Sequence, residues 1–130
     1  MVQAIAEAEA RTSGEIRVFV THLKCADPIL AAREHFEKLG MNQTRHRNGV
    51  LIFLAPRTRN FAVIGDEGVH EKCGDDFWID VAAHMSTELR ASRFTDALVQ
   101  AVEKTGELLA RHFPPDTDNR NELSDRVITD

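Results

Sequence analysis

The sequence predicts an α/β/α sandwich, a small mixed sheet with helices on both faces. Three observations carry this reading. Ile16, Val18 and Val20 alternate with Arg17 and Phe19, the pattern of a β-rich strand. Val50-Leu51-Ile52-Phe53-Leu54 is an apolar run without alternation, as expected of a strand covered on both faces. Only the turn Pro56-Arg57-Thr58-Arg59-Asn60 separates it from Phe61-Ala62-Val63-Ile64-Gly65, which indicates an antiparallel hairpin.

The remaining elements follow in order. Residues 2–11 are strong helix formers, stopped by Thr12-Ser13-Gly14. This helix opens at Met1 without a capping residue, which suggests further residues upstream. After the first strand, Asp27-Pro28 reads as an N-cap followed by proline at the first helical position. Ile29, Ala32, Phe36 and Leu39 then share one face, and Gly40 closes the helix. Because a helix joins the first two strands, they are expected to be parallel with a right-handed crossover.

Residues 66–76 read as a polar connection, with Asp75 or Asp76 capping the next helix. Trp78, Val81, Ala82, Met85 and Leu89 form its apolar stripe. Ser92 is placed to cap a last helix with Phe94, Ala97, Leu98, Ala101, Val102, Leu108 and Leu109 inward, ended by Pro114-Pro115. The order is α-β-α-β-β-α-α around three strands. Phe36, Phe53, Ile64, Trp78 and Leu98 are expected to share one core. Residues 1–115 make a single domain. Residues 116–130 form a polar tail, expected to be loosely held unless Val127-Ile128 docks on an edge strand.

Composition narrows the function classes. The chain has 130 residues, enough for one domain, and is 42% hydrophobic and 28% charged, an ordinary globular balance. No apolar run approaches a membrane span. The N-terminus lacks the basic and apolar regions of a signal peptide, which favours a cytoplasmic location; membrane association is expected only if upstream residues supply it. A net charge of −5 argues against a general nucleic-acid binder. Cys25 and Cys73 form no C-x-x-C and are expected to be free thiols, a single disulfide being the alternative.

Several motifs resemble a known family. They are Thr12-Ser13-Gly14-Glu15-Ile16-Arg17-Val18 after a helix, Asn48-Gly49-Val50-Leu51-Ile52-Phe53, the stretch from Arg59 to Gly68, and Asn121-Glu122-Leu123 near the end. Together they resemble the TPM domain family over about residues 1–125. That resemblance implies the α/β/α fold. The family includes a plant thylakoid-lumen protein with acid phosphatase activity, linked to photosystem II repair, which implies a phosphatase-like hydrolase of phosphate esters. It also includes an animal auxiliary subunit of acetylcholine receptors, which implies a non-catalytic module acting on a membrane-protein partner. Where many members carry Gly-Tyr-Gly, this chain has Gly65-Asp66-Glu67-Gly68.

The charge pattern locates candidate chemistry. Residues 41–60 hold Arg45, Arg47, Arg57 and Arg59 and no acid; residues 66–80 hold Asp66, Glu67, Glu71, Asp75, Asp76 and Asp80 against Lys72. An antiparallel hairpin puts Asp66 and Glu67 beside Arg45, His46, Arg47 and Asn48, and puts Arg57 and Arg59 at the far edge near Thr21, His22 and Lys24. Asp66, Glu67, Asp75 and Asp76 are the candidate metal ligands. Ca²⁺ is favoured over Mg²⁺, because a glycine-containing loop suits irregular oxygen coordination. Arg45, Arg47 and Asn48 are the candidate phosphate contacts. A Lewis acid and charge neutralisation on a phosphate are what phosphoryl hydrolysis requires. The same clustering is also that of solvated salt bridges, the reading the charge pattern alone favours. No catalytic nucleophile is assigned: His70-Glu71 is not a zincin helix, Asp116-Thr117-Asp118-Asn119-Arg120 lacks the later EF-hand positions, and Gly65-Asp66-Glu67-Gly68 is not a phosphate-binding P-loop. His35 and His84 read as boundary or surface residues and His112 as a helix C-terminal cation.

Overall fold

The computed structural model describes residues 2–44, 46–74, 76–115 and 127–129. Helix α1 (Val2–Glu9) leads into strand β1 (Glu15–Val20). Helix α2 (Pro28–Lys38) and a 3₁₀ turn at Met41–Gln43 connect to β2 (Gly49–Ala55), which turns back into β3 (Asn60–Gly65). Helices α3 (Glu67–Cys73), α4 (Asp76–Arg90) and α5 (Phe94–His112) follow, then β4 (Val127–Thr129).

The sheet order is β3-β2-β1-β4. Strands β1 and β2 are parallel, with Ile16 opposite Val50 and Phe19 opposite Phe53. Strands β2 and β3 are antiparallel, with Ile52 opposite Val63. The expected mixed sheet is present but gains a fourth strand: Val127 and Ile128 pair in parallel with Val18 and Phe19. Residues 127–129 are therefore docked. Three residues are too short for a periodic signal, and the free edge of β1 gives them a ladder to join.

Local chemistry explains the helix ends. Asp27 accepts a hydrogen bond from the Leu30 amide at 3.1 Å, with Pro28 at the first helical position. The expected cap by Ser92 is not made. Arg93 occupies the N-cap of α5 without a side-chain bond, Ser92 takes a positive φ of 59°, and its Oγ accepts from Arg59 Nη2 at 3.2 Å. Helix α3 replaces the expected polar connection. Only its Val69 is buried, so the segment offers no apolar stripe to read. The expectation that Asp75 caps α4 lies outside the described residues, as does the side chain of Asp76.

The sheet separates two cores. On one face α1, α3, α4 and α5 bury Ile5, Ile16, Val18, Ile52, Met85, Leu98 and Leu109. On the other, α2 and the 3₁₀ turn bury Phe19, Phe36, Met41, Leu51 and Phe53. The single core expected from the sequence is thus divided, with Phe36 and Phe53 on one side and Leu98 on the other. Ile64 and Trp78 are half-buried rather than interior. Ile29 was expected on the apolar face of α2; it is 54% exposed, while Ala32 and Phe36 are buried. His35 stacks on Phe19 at 4.0 Å, the boundary position expected of it. Cys25 packs against the α2 core and Cys73 against the opposite one, and both are free thiols.

Candidate functional site at one rim of the sheet

The starts of β1 and β2 and the end of β3 lie at the same rim, since the first two run together and the third returns. The β2–β3 register continues to Asp66, whose N–H donates to Gly49 O at 2.9 Å. The loop leading into β2 passes beside it, with Arg47 in a left-handed backbone conformation (φ 50°). Such a conformation is uncommon outside glycine and marks a segment held by its surroundings. Part of the hold is Gly68, whose N–H donates to Arg47 O at 2.9 Å. A Cβ at Gly68 would lie 2.6 Å from both the His46 and Arg47 carbonyl oxygens, so only glycine permits this approach.

That backbone places the Arg47 side chain on two carboxylates. Nε meets Asp66 Oδ2 at 2.7 Å, Nη2 meets Oδ1 at 3.0 Å, and Nη1 lies 3.2 Å from Glu67 Oε1. Asp66 is 7% exposed, Arg47 43% and Glu67 67%. The hydrogen bond to Asp66 pushes the Arg47 pKa up, with the charges of Asp66 and Glu67 adding to it. Asp66 also caps α3, its Oδ1 accepting from the Glu67 amide at 2.8 Å. One buried carboxylate therefore fixes both the helix start and the arginine. Asn48 is buried and its Nδ2 donates to Ser13 Oγ at 3.3 Å, tying the β2 loop to the loop before β1.

Of the residues singled out in the sequence, Arg47, Asn48, Asp66 and Glu67 come together at this rim. Arg45 and Asp75 lie outside the described residues, as does the side chain of Asp76. Among the described residues no group of three His, Cys, Asp or Glu is placed to share a metal ion. At the far edge, Thr21, His22 and Arg57 line one cleft, as the topology implied, whereas Arg59 turns to Ser92. Sequence reasoning missed a group of buried charges near the start of β1. Glu9 and Glu15 are 4% and 2% exposed, and both act on Arg17. Burial lowers the Arg17 pKa while the two carboxylates raise it, and burial prevails. Glu9 sits in a run of alternating Ala and Glu that reads as a solvated helix, so composition hides it.

The arrangement has a definite hydrogen-bonding capacity. A guanidinium carries five N–H donors. Asp66 takes Nε–H and one N–H of Nη2, and Nη1 is ion-paired with Glu67. The remaining N–H donors are of the kind that binds a phosphate or carboxylate.

Comparison with known proteins places this geometry. A family model for the TPM domain matches residues 1–108. The chain is similar to the BA42 protein of the psychrophilic bacterium Bizionia argentinensis, solved by NMR, with 35% identity and a TM-score of 0.90 over 99% of this chain and 89% of that one. It shares the fold of the N-terminal domain of a P. gingivalis protein, also solved by NMR, at 16% identity and a TM-score of 0.69 over 88% of this chain and 76% of that one. A search of curated proteins finds no match. With the family model covering most of its length, the chain belongs to the TPM domain family.

Proposed function

We propose that the chain is a phosphatase-like hydrolase of phosphate esters, acting at the rim formed by Arg47, Asp66 and Glu67. The observation that carries this reading is the half-exposed Arg47, fixed on its Nε side by a two-point contact with a buried carboxylate. An arginine held in this way loses little side-chain entropy when it takes a phosphate. Glu67, exposed beside the guanidinium, is the carboxylate positioned to accept a proton from an attacking water. The overall reaction consumes water and releases an alcohol and inorganic phosphate.

A divalent cation, Ca²⁺ in preference to Mg²⁺, is the second part of the proposal. Asp66 and Glu67, joined by Asp75 and Asp76, would hold it, and it would supply charge neutralisation at the phosphate. Both Asp66 oxygens already accept hydrogen bonds, so the described donors fit a cation only if Arg47 leaves Asp66.

One observation favours a second reading, a non-catalytic module acting on a membrane-protein partner. Arg47 already neutralises Asp66 and Glu67, as a solvated ion pair would. Hydrolysis of p-nitrophenyl phosphate, measured with Ca²⁺, with Mg²⁺ and with chelator, separates the two. The hydrolase reading expects turnover that falls at least about tenfold in Arg47→Ala and is unchanged in Arg57→Ala, with circular dichroism preserved in both. Absence of turnover in all three conditions leaves the binding module.

A further inference from the structure

Strand β3 is an edge of the sheet, and no described strand pairs with its outer side. Which backbone groups face outward follows from the register. The Asp66 N–H donates to Gly49 O, so the bonded pairs alternate back from there through Ile64–Leu51 and Ala62–Phe53. The N–H and C=O groups of Phe61, Val63 and Gly65 therefore point away from β2. They are spaced as a neighbouring strand requires.

These groups line a groove of about 450 Å³ between α2 and α4. Ile29, 54% exposed, and Arg33 form one lip; Trp78 and His70 form the other. Trp78 lies on Gly65 so closely that a Cβ there would come within 2.9 Å of its ring. The glycine thus seats the indole as a wall of the groove. The charged and titratable side chains lining it are Arg33 and His70, and no described acid joins them. In a chain of net charge −5 that local imbalance favours an acidic visitor.

We propose that the β3 edge binds an extended peptide as an added strand, apolar at alternate positions and carrying carboxylates between them. Backbone pairing with Phe61 and Val63 supplies the register, and Gly65, buried beneath Trp78, closes the end of the groove. Val63 and Trp78, on the α4 side, receive the apolar side chains, and Arg33, on the α2 side, receives the acids. The site is separate from Arg47, and the peptide binds whether or not the rim hydrolyses phosphate esters.

Trp78 is the chain's one tryptophan and there is no tyrosine, so intrinsic fluorescence reports on this groove. The probe is the acetylated, amidated peptide TVDVEVT, titrated to ~1 mM against the full chain. A saturable change is expected, with the amide protons of Phe61 and Val63 moving in parallel NMR spectra. Two N-methylated forms test the strand geometry, one methylated at the valines and one at the residues between. Only one edge of the peptide faces β3, so one form loses binding and the other keeps it. Arg33→Glu, on the exposed surface of α2, is expected to weaken the acidic peptide about tenfold and to strengthen TVKVKVT. The proposal is overturned if no saturable change occurs, if both N-methylated forms bind as the parent does, or if TVKVKVT matches the acidic peptide on the wild-type chain. It is also overturned if the β3 amides shift with protein concentration alone, since a second copy would then occupy the edge.

Discussion

The two faces of the sheet are covered unequally. One lies beneath α1, α3, α4 and α5, which interlock around Ile16, Val18, Ile52 and Leu109. The other lies beneath α2 and one 3₁₀ turn, and three of its flanking apolar side chains, Leu23, Ile29 and Leu30, stay more than half exposed. The centres are alike nonetheless, for Phe53 on the thin face and Leu109 on the thick one are both essentially inaccessible. The difference therefore lies at the margins. A single helix can seal a sheet face, but it leaves the lateral hydrogen-bonding edge of the outer strand unpaired. On this molecule that strand is β3, and the candidate groove is there.

The largest expected effect tests whether the centres are in fact equivalent. Phe53→Ala should cost ~3–5 kcal/mol and Leu109→Ala ~2–5 kcal/mol, because each removes a fully buried side chain from a packed cluster. Chemical denaturation with both variants checks this. A loss below ~1 kcal/mol for Phe53→Ala alone would make the α2 face a loose cover rather than a second core.

A smaller effect comes from β4, which touches both faces. Val127 packs against the thick core and Ile128 against the thin one, at similar partial burial. Each substitution to alanine should cost ~0.5–1.5 kcal/mol, about half the value of full burial. Removing residues 127–130 should lower the unfolding midpoint by several degrees. An unchanged midpoint would show that neither the ladder nor the side chains of β4 add net stability. If Val127→Ala costs much more than Ile128→Ala, the thick face binds β4 and the thin face merely faces it.

What could be read from the sequence divides along the same line. The strands, the β2–β3 hairpin, the Asp27-Pro28 cap and the stripe of α5 were legible because apolar periodicity and turn chemistry report burial directly. The meeting of Arg47 with Asp66 was legible too, since an antiparallel register fixes which ends lie together. Helix α3 was not. Gly68 and a single buried Val69 give it no helical signature, and it forms because Asp66 caps it and the Arg47 carbonyl receives Gly68. The exposure of Ile29 was illegible for a different reason. Its spacing with Ala32 and Phe36 is that of a buried stripe, yet it stands at the lip of the groove along β3.

The two free thiols give the finest test of the comparison, because one samples each face. Cys73 sits at the end of α3 against the thick core, and burial pushes its thiol pKa up, with the neighbouring Lys72 charge opposing only in part. The reactive species is the thiolate, so a raised pKa slows alkylation at neutral pH and shifts its rise to more alkaline conditions. In a Cys25→Ser chain, the rate of iodoacetamide modification against pH should give an apparent pKa above that of an unhindered cysteine. The sign follows from desolvation, which penalises the charged form and leaves the neutral thiol unaffected. Substituting Lys72 by Met should raise the apparent value further, because the favourable charge beside the thiolate is then gone. An apparent pKa at or below the ordinary cysteine value would mean that water reaches Cys73 freely, and that the helices close the thick face less completely around α3 than around its centre.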